Sequence, residues 1–379
     1  MISLFTDMAS EMLYPIMPLY LKQVGYSAIF IGILEGICEA VAGLSKGYFG
    51  QWSDYRGKRL PYIRSGYTLS AISKPILIFF VYPWWIFFCR TLDRLGKGLR
   101  TGARDALLRD ESHHTTRATV FGFHRSMDTA GAAIGPAIAL CYLYFFPADY
   151  KTLFILAFFP GILAVISTRF IRENKIQVEQ DAKKPRFFSF FNYWKTSNSN
   201  YRAVCTGLLL FALFNSSDVF LLLKLKESGL NDTYIIGIYI FYNLVYALLA
   251  YPAGIIADRL GIRKMIITGL ILFIIVYAGF AYNTNLWVFI FLIALYGLYA
   301  AATEGISKAW ISNIVAKNET ATAIGTYSGF QSLASLFASS FSGFIWYTYG
   351  AKYTFLITAF ITLCVVIYFL TLRVKVKNL

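Results

Sequence analysis

Charge is what this chain has least of. Asp, Glu, Lys and Arg make up 15% of its 379 residues, against roughly 25% in a soluble domain, which places a water-soluble enzyme outside what the composition allows. Cysteine is thin too: Cys38, Cys89, Cys141, Cys205 and Cys364 stand singly in apolar runs with no C-x-x-C spacing, so they read as small core residues. Histidine is limited to His113 and His114, adjacent in a loop with no ligand at helical spacing, and a single His124, and neither a metal nor a cofactor is expected. The H-x4-D and P-loop patterns are missing, which leaves a membrane-embedded enzyme as a remote alternative. Recurring filter loops, the mark of a channel, are missing as well. The longest polar stretch, Arg172 to Asn200, has no room for a sizeable water-facing domain.

What fills the chain instead is apolar: 57% of all residues are apolar and 18% of all residues are aromatic, with a mean hydropathy of +0.56. A membrane helix takes about 20 apolar residues. Cutting at charged or turn-forming clusters gives twelve such segments, near 1–22, 27–52, 61–82, 84–108, 118–142, 151–171, 201–223, 233–257, 265–282, 286–310, 321–346 and 352–372. The expected fold is an all-α polytopic membrane protein with twelve transmembrane helices in two six-helix halves, 1–171 and 201–379, joined by a cytoplasmic linker, 172–200. The first run holds Asp7 and Glu11 and lacks a basic leader, so it is expected to be a retained span.

The net charge of +15 first suggests an acidic partner. Sorted by loop, it becomes a topology signal. Arg56, Lys58 and Arg59, then Arg109 and Arg117, the run Arg169 to Arg202, Arg259, Arg263, Lys264, Lys317 and the tail Arg373, Lys375 and Lys377 all fall on one side; Lys22, Lys151, Lys224, Lys226 and Lys352 fall on the other. Both termini are therefore expected in the cytoplasm, in a cytoplasmic (inner) membrane, and a nucleic-acid partner is not expected. Tyr82-Pro83-Trp84-Trp85 and Trp346-Tyr347 suit interfacial anchors, and Phe187 to Lys195 either lies in the headgroup layer as a short interfacial helix or is a plain linker.

One pattern occurs twice. Gly50-x3-Asp54-x2-Gly57-Lys58-Arg59 and Gly254-x3-Asp258-Arg259-x-Gly261-x-Arg263-Lys264 have their aspartates 204 residues apart, the spacing that separates the second span from the eighth. Two halves in parallel repeat follow. The first Gly suits two helices in contact, the Asp a helix N-terminus or an Arg, and the second Gly a tight turn.

These loops resemble the signature of the major facilitator superfamily of secondary transporters, and the resemblance covers the whole chain. Gly122, Gly131, Gly135 and Pro136 in the fifth span are similar to the motif of proton-coupled drug antiporters, departing from it at Ala139 and Leu140; read without the family, they allow close helix packing. Asp7-x2-Ser10-Glu11-x2-Tyr14-Pro15 and the stretch Arg90 to Arg100 resemble a bacterial branch of unassigned substrate. The resemblance implies a cavity between the halves, lined by spans 1, 4, 7 and 10, that opens to each side in turn and is powered by protons. A monomer taking a small-molecule substrate, protons and lipid as its partners is expected.

Ionisable groups inside a bilayer cost about 2.5–3.5 kcal/mol each on insertion scales, so each needs a partner or a function. Glu11 is the first candidate proton carrier, with Arg94 as its switchable partner and, with Arg90 and Lys97, the anchor for an acidic substrate group. Asp7, Glu35, Glu39 and Asp128 are further proton candidates. In the second half Asn215, Asp218, Tyr296 and Tyr299 are expected at the cavity. Arg100, Arg104, Glu304 and Lys308 are expected to form an inner gate with Asp54 and Asp258. Two functions stay open: proton-driven efflux, favoured by the fifth-span glycines, and proton-coupled uptake of an organic anion such as a carboxylate or siderophore, favoured by the cationic fourth span.

Overall fold

The structure, a computed structural model, describes residues 1–14, 16–17, 20–21, 24–26, 28–147, 149–173, 184–216, 218–230 and 232–372, apart from the side chains of 28–33, 35–36 and 232–233. The helices of ten or more residues are α1 (Ile2–Glu11), α2 (Ala28–Arg56), α3 (Leu60–Ile76), α4 (Pro83–Asp110), α5 (Arg117–Phe145), α6 (Tyr150–Ser167), α7 (Ser199–Phe214), α8 (Asp218–Glu227), α9 (Asp232–Leu260), α10 (Ile262–Tyr282), α11 (Leu286–Ile314), α12 (Thr320–Tyr349) and α13 (Ala351–Thr371). Each expected apolar segment overlaps one of them, and the seventh overlaps two. The seventh segment is split because the helical bonding stops at Asn215, the C-cap of α7, and restarts at Asp218. In the first segment α1 stops at Glu11, and 204 residues separate Glu11 from Asn215.

Local chemistry sets the ends. Asn198 accepts from the Tyr201 amide at 2.7 Å and Asn285 from that of Trp287 at 2.8 Å, each satisfying a helix-start donor, while Pro83 opens α4. Gly57 and Gly261 stop α2 and α9 at φ +59° and +102°, a backbone region that glycine enters without a Cβ penalty.

Seven helical segments among the described residues are long and apolar enough to cross a membrane. α4 is not one of them, because Arg90, Asp93, Arg94, Lys97 and Arg100 lie within it. The packing repeats. α2 and α3 both pack on α4 as α9 and α10 both pack on α11; α3 meets α6 as α10 meets α13; and α1 meets α6 as α7 meets α13. The chain forms two compact units whose membership departs from the two sequence halves in two places. Residues 112–126 group with 197–315 and 330–379, and residues 316–329 group with 1–111 and 127–196.

Trp84, Trp287 and Tyr347 are 82%, 77% and 90% exposed, the large apolar surface that lipid contact calls for. Cys38, Cys89 and Cys205 are buried as expected, but Cys141 and Cys364 are exposed rather than in a core, on helix faces that turn outward. The segment from Phe187 does not form a flat interfacial helix. It makes a 3-10 turn, Ser189–Asn192, and one short helical turn, Tyr193–Thr196, that direct Phe190 and Tyr193 into the first unit.

Candidate functional site

In the first unit α4 is a cationic spine on which the acids of its neighbours converge. A run at i, i+4, i+10 and i+14 puts Arg90, Arg94, Arg100 and Arg104 along one side of the helix. Arg94 Nη1 lies 3.3 Å from Glu39 Oε1 on α2. Arg100 Nη2 lies 3.9 Å from Asp7 Oδ1 on α1, with its guanidinium 4.8 Å over the Tyr67 ring. Arg104 Nη2 is 3.0 Å from Asp105, and its Nη1 is 4.0 Å from Asp128 on α5. On the same side of α4, one turn from Arg90, Asp93 accepts from Lys74 Nζ at 3.3 Å and from the Ser70 hydroxyl, both on α3.

Burial differs along the spine. Arg90, Arg94 and Arg100 are 6%, 6% and 2% exposed, whereas the Glu39 side chain is 57% exposed. Lys97 is half-buried. The structure joins Arg94 to Glu39, and Glu11 ends α1, half-buried. Glu35 lies on α2, with its side chain outside the described residues. Gly131 and Gly135 have a packing role: a Cβ on either would come 2.4 and 2.5 Å from the Leu4 and Met8 carbonyl oxygens of α1. Pro136 follows within α5.

The second unit holds a polar set built on tyrosines. Tyr296 donates to Asp218 Oδ1 at 2.5 Å, next to the break after α7 that Asn215 caps. The rings run on from Tyr299 to Tyr296 (5.2 Å), to Tyr242 (5.2 Å) and to Tyr246 (6.0 Å). There Arg125 Nε donates to the Tyr246 hydroxyl at 2.5 Å and Arg125 Nη2 to Glu304 at 3.1 Å. Tyr239, one turn before Tyr242, lies tilted against it at 6.3 Å. Tyr296 and Tyr299 are 3% and 4% exposed, while Arg125 and Glu304 are partly open.

The repeated loop forms two latches. Asp54 accepts from the Thr322 amide at 2.5 Å and hydroxyl at 2.7 Å, and pairs with buried Arg59. Asp258 accepts from the amides of Ala118 and Thr119 at 3.0 and 2.7 Å and from the Thr119 hydroxyl at 2.6 Å. Each carboxylate thus sits on a helix N-terminus, where unpaired N–H groups and the macrodipole favour negative charge. The first glycines allow the approach: a Cβ on Gly50 or Gly254 would lie 2.4 Å from the carbonyl oxygen of Ala321 or Ala118. Gly122 packs likewise on the Ala250 carbonyl.

The expected inner gate is arranged differently. Arg100 and Arg104 turn to Asp7, Asp105 and Asp128, and Glu304 pairs with Arg125, one turn from Lys308 on α11. Arg259 is exposed, and Arg263 donates to the carbonyls of Phe369 and Leu370 at the end of α13. The partners the sequence reading missed are Ala118-Thr119-x2-Gly122 and Ala321-Thr322-x2-Gly325, a second repeat offset by 203 residues that opens α5 and α12.

Repeated six-helix packing, a charged spine inside apolar helices and paired aspartate latches define a membrane carrier built by duplication. The family model of the Major Facilitator Superfamily matches residues 1–242 and 204–378, and the chain belongs to that superfamily. An uncharacterised MFS-type transporter of Methanocaldococcus jannaschii is 31% identical over 359 residues, 91% of this chain and 86% of its own length. One from Bacillus subtilis is 30% identical over 146 residues, 37% of this chain and 34% of its own. Among solved structures, the human organic anion transporter MFSD10 (TETRAN) has a TM-score of 0.79 at 14% identity, covering 97% of both chains, and the transporter FucP in its outward conformation has 0.75 at 11%, covering 97% of this chain and 96% of its own. The chain is therefore a multi-pass membrane protein that transports a small molecule. Its family indicates a transporter rather than an enzyme.

Proposed function

We propose that the chain is a proton-coupled secondary active transporter, acting as a monomer by alternating access, that carries a small organic anion such as a carboxylate. The observation that carries this reading is the Arg94–Glu39 pair, a buried guanidinium held at 3.3 Å by a carboxylate that is itself 57% exposed. An anionic substrate reaching Arg94 competes with Glu39, since a guanidinium binds carboxylates by the same fork of donors. Protonating Glu39 weakens its hold on Arg94, which favours the anion, so proton and anion bind together, which is symport. Arg90 and Lys97 extend the cationic surface along α4, and Asp7 and Asp128 hold the deeper arginines.

Export by proton antiport rests on the fifth-span glycines, of which Gly131 and Gly135 pack on α1 and Gly122 packs on α9. The human neighbour is itself an organic anion transporter, which agrees with the anionic choice. The positive-inside bias supports an inner-membrane orientation with both termini in the cytoplasm.

The test is reconstitution into proteoliposomes with an imposed pH gradient and a panel of radiolabelled mono- and dicarboxylates. Accumulation driven by an acidic exterior is expected, and Glu39→Gln is expected to abolish its dependence on the gradient while anion-for-anion exchange persists. Proton release stimulated by organic cations, or gradient-driven uptake unchanged in Glu39→Gln, overturns the reading.

A further inference from the structure

The linker after α6 is bound to the helices at both of its described ends. Glu173 caps α3, accepting from the amides of Arg59 and Leu60, the latter at 3.0 Å. Further on, residues 186–196 cross between α2 and the start of α12. Ser189 Oγ donates to Gln51 Oε1 of α2 at 2.7 Å, Thr326 Oγ1 of α12 donates to the Phe190 carbonyl at 3.2 Å, and the Tyr193 hydroxyl donates to Glu319 Oε2 at 3.0 Å.

Phe190 is fully buried in a slot that two glycines leave open. A Cβ on Gly47 of α2 would lie 2.4 Å from the Phe190 ring, and one on Gly329 of α12 would lie 3.2 Å from it. The helices it spans already touch backbone to backbone, since a Cβ on Gly325 would lie 2.5 Å from the Lys46 carbonyl oxygen. The α5–α9 crossing is the counterpart of this one by the repeat, and there the positions equivalent to Gly47 and Gly329 are Tyr251 and Ser126. Tyr251 meets Phe123 edge to face at 5.6 Å, and Ser126 donates to the Ala247 carbonyl, so the second crossing has no slot for a pin.

We infer that residues 186–196 are a strap that clamps the α2–α12 crossing, with Phe190 as its pin, and that the Asp54–Thr322 latch opens only when the strap lets go. The device acts on one latch of the two. It makes the paired crossings unequal in stability, and it is independent of which substrate or ion the carrier takes.

Hydrogen exchange on the full chain in lipid nanodiscs, read by peptide mass, tests it without a substrate. Phe190→Ala is expected to speed exchange in peptides covering 316–329 by about tenfold, because local opening then lacks its strongest packing restraint, while peptides covering 112–126 keep the parent rate. If Phe190→Ala does not yield folded protein, Gln51→Cys with Ser189→Cys, oxidised to a disulfide in a Cys141→Ser, Cys364→Ser background, is expected to slow exchange in 316–329 relative to the reduced form. Unchanged exchange in 316–329 in either experiment, or an equal rise at 112–126, overturns the clamp.

Discussion

Asp54 accepts from the backbone amide of Thr322 at 2.5 Å, across 268 residues of sequence. The same side chain binds Arg59, so one carboxylate closes the turn behind α2 and caps the helix in front of it. An aspartate on a helix N-terminus contributes about 0.5–2 kcal/mol. Replacing Asp54 with Ala is expected to cost about that much in thermal unfolding of the purified protein. A double-mutant cycle should show coupling of about 0.5 kcal/mol or more between Asp54→Ala and Thr322→Ala and none between Asp54→Ala and Thr119→Ala, since contacting residues couple and distant ones add.

The two motif glycines should fail in different ways. Gly50→Ala drives a methyl to 2.4 Å from the Ala321 carbonyl oxygen, so the helices must separate, at a cost of about 1–3 kcal/mol for overpacking. Gly261→Ala meets open space but keeps φ at +102°, a backbone strain of about 1–3 kcal/mol. Melting temperatures fall in both, and exchange at 316–329 rises only in Gly50→Ala. Equal exchange profiles in the two variants would remove the steric account.

Lys74 is 3% exposed and its ion partner is Asp93 on α4. Removing one member of such a pair strands the other, at about 3–5 kcal/mol. Lys74→Met or Asp93→Asn alone is expected to lower yield and thermal stability severely, and the double variant is expected to regain most of the loss. A double variant no better than either single one would show that the pair is not an isolated unit.

Tyr296→Phe takes away the 2.5 Å donor to Asp218 and leaves a partly buried acceptor short of a bond, at about 1–3 kcal/mol. Tyr353→Phe, at a 55% exposed position, is expected to leave the melting temperature where it was. Comparing the two in the same detergent checks the claim.

Apolar run length and loop charge carried the architecture, because the bilayer imposes both on the sequence. The repeat at Asp54 and Asp258 was legible since a tight turn needs its glycine and a helix contact needs another. What the aspartates hold was half legible: a helix N-terminus or an Arg was expected, and Asp54 takes both. The A-T-x2-G pairs at Ala118 and Ala321 carried a usable signal, yet alanine and threonine draw no attention among apolar residues. Partner choice on α4 was not legible. Arg94 reaches Glu39 while Glu11 stands at the end of a shortened α1, and only the rotation of each helix about its axis decides between them. Phe190 gave no sign of being a pin, since its slot exists only when Gly47 and Gly329, 282 residues apart, come together.

The exchange of segments 112–126 and 316–329 has a consequence for how the protein is made. A chain emerging from the ribosome presents Asp54, Gly47 and Phe190 more than a hundred residues before Thr322 and Gly329. The first six helices are therefore inserted with an uncapped carboxylate and an unfilled aromatic pin waiting at one end. The latch and the slot are completed only when α12 arrives, so a truncation before residue 316 leaves Asp54 without its helix N-terminus and Phe190 without Gly329.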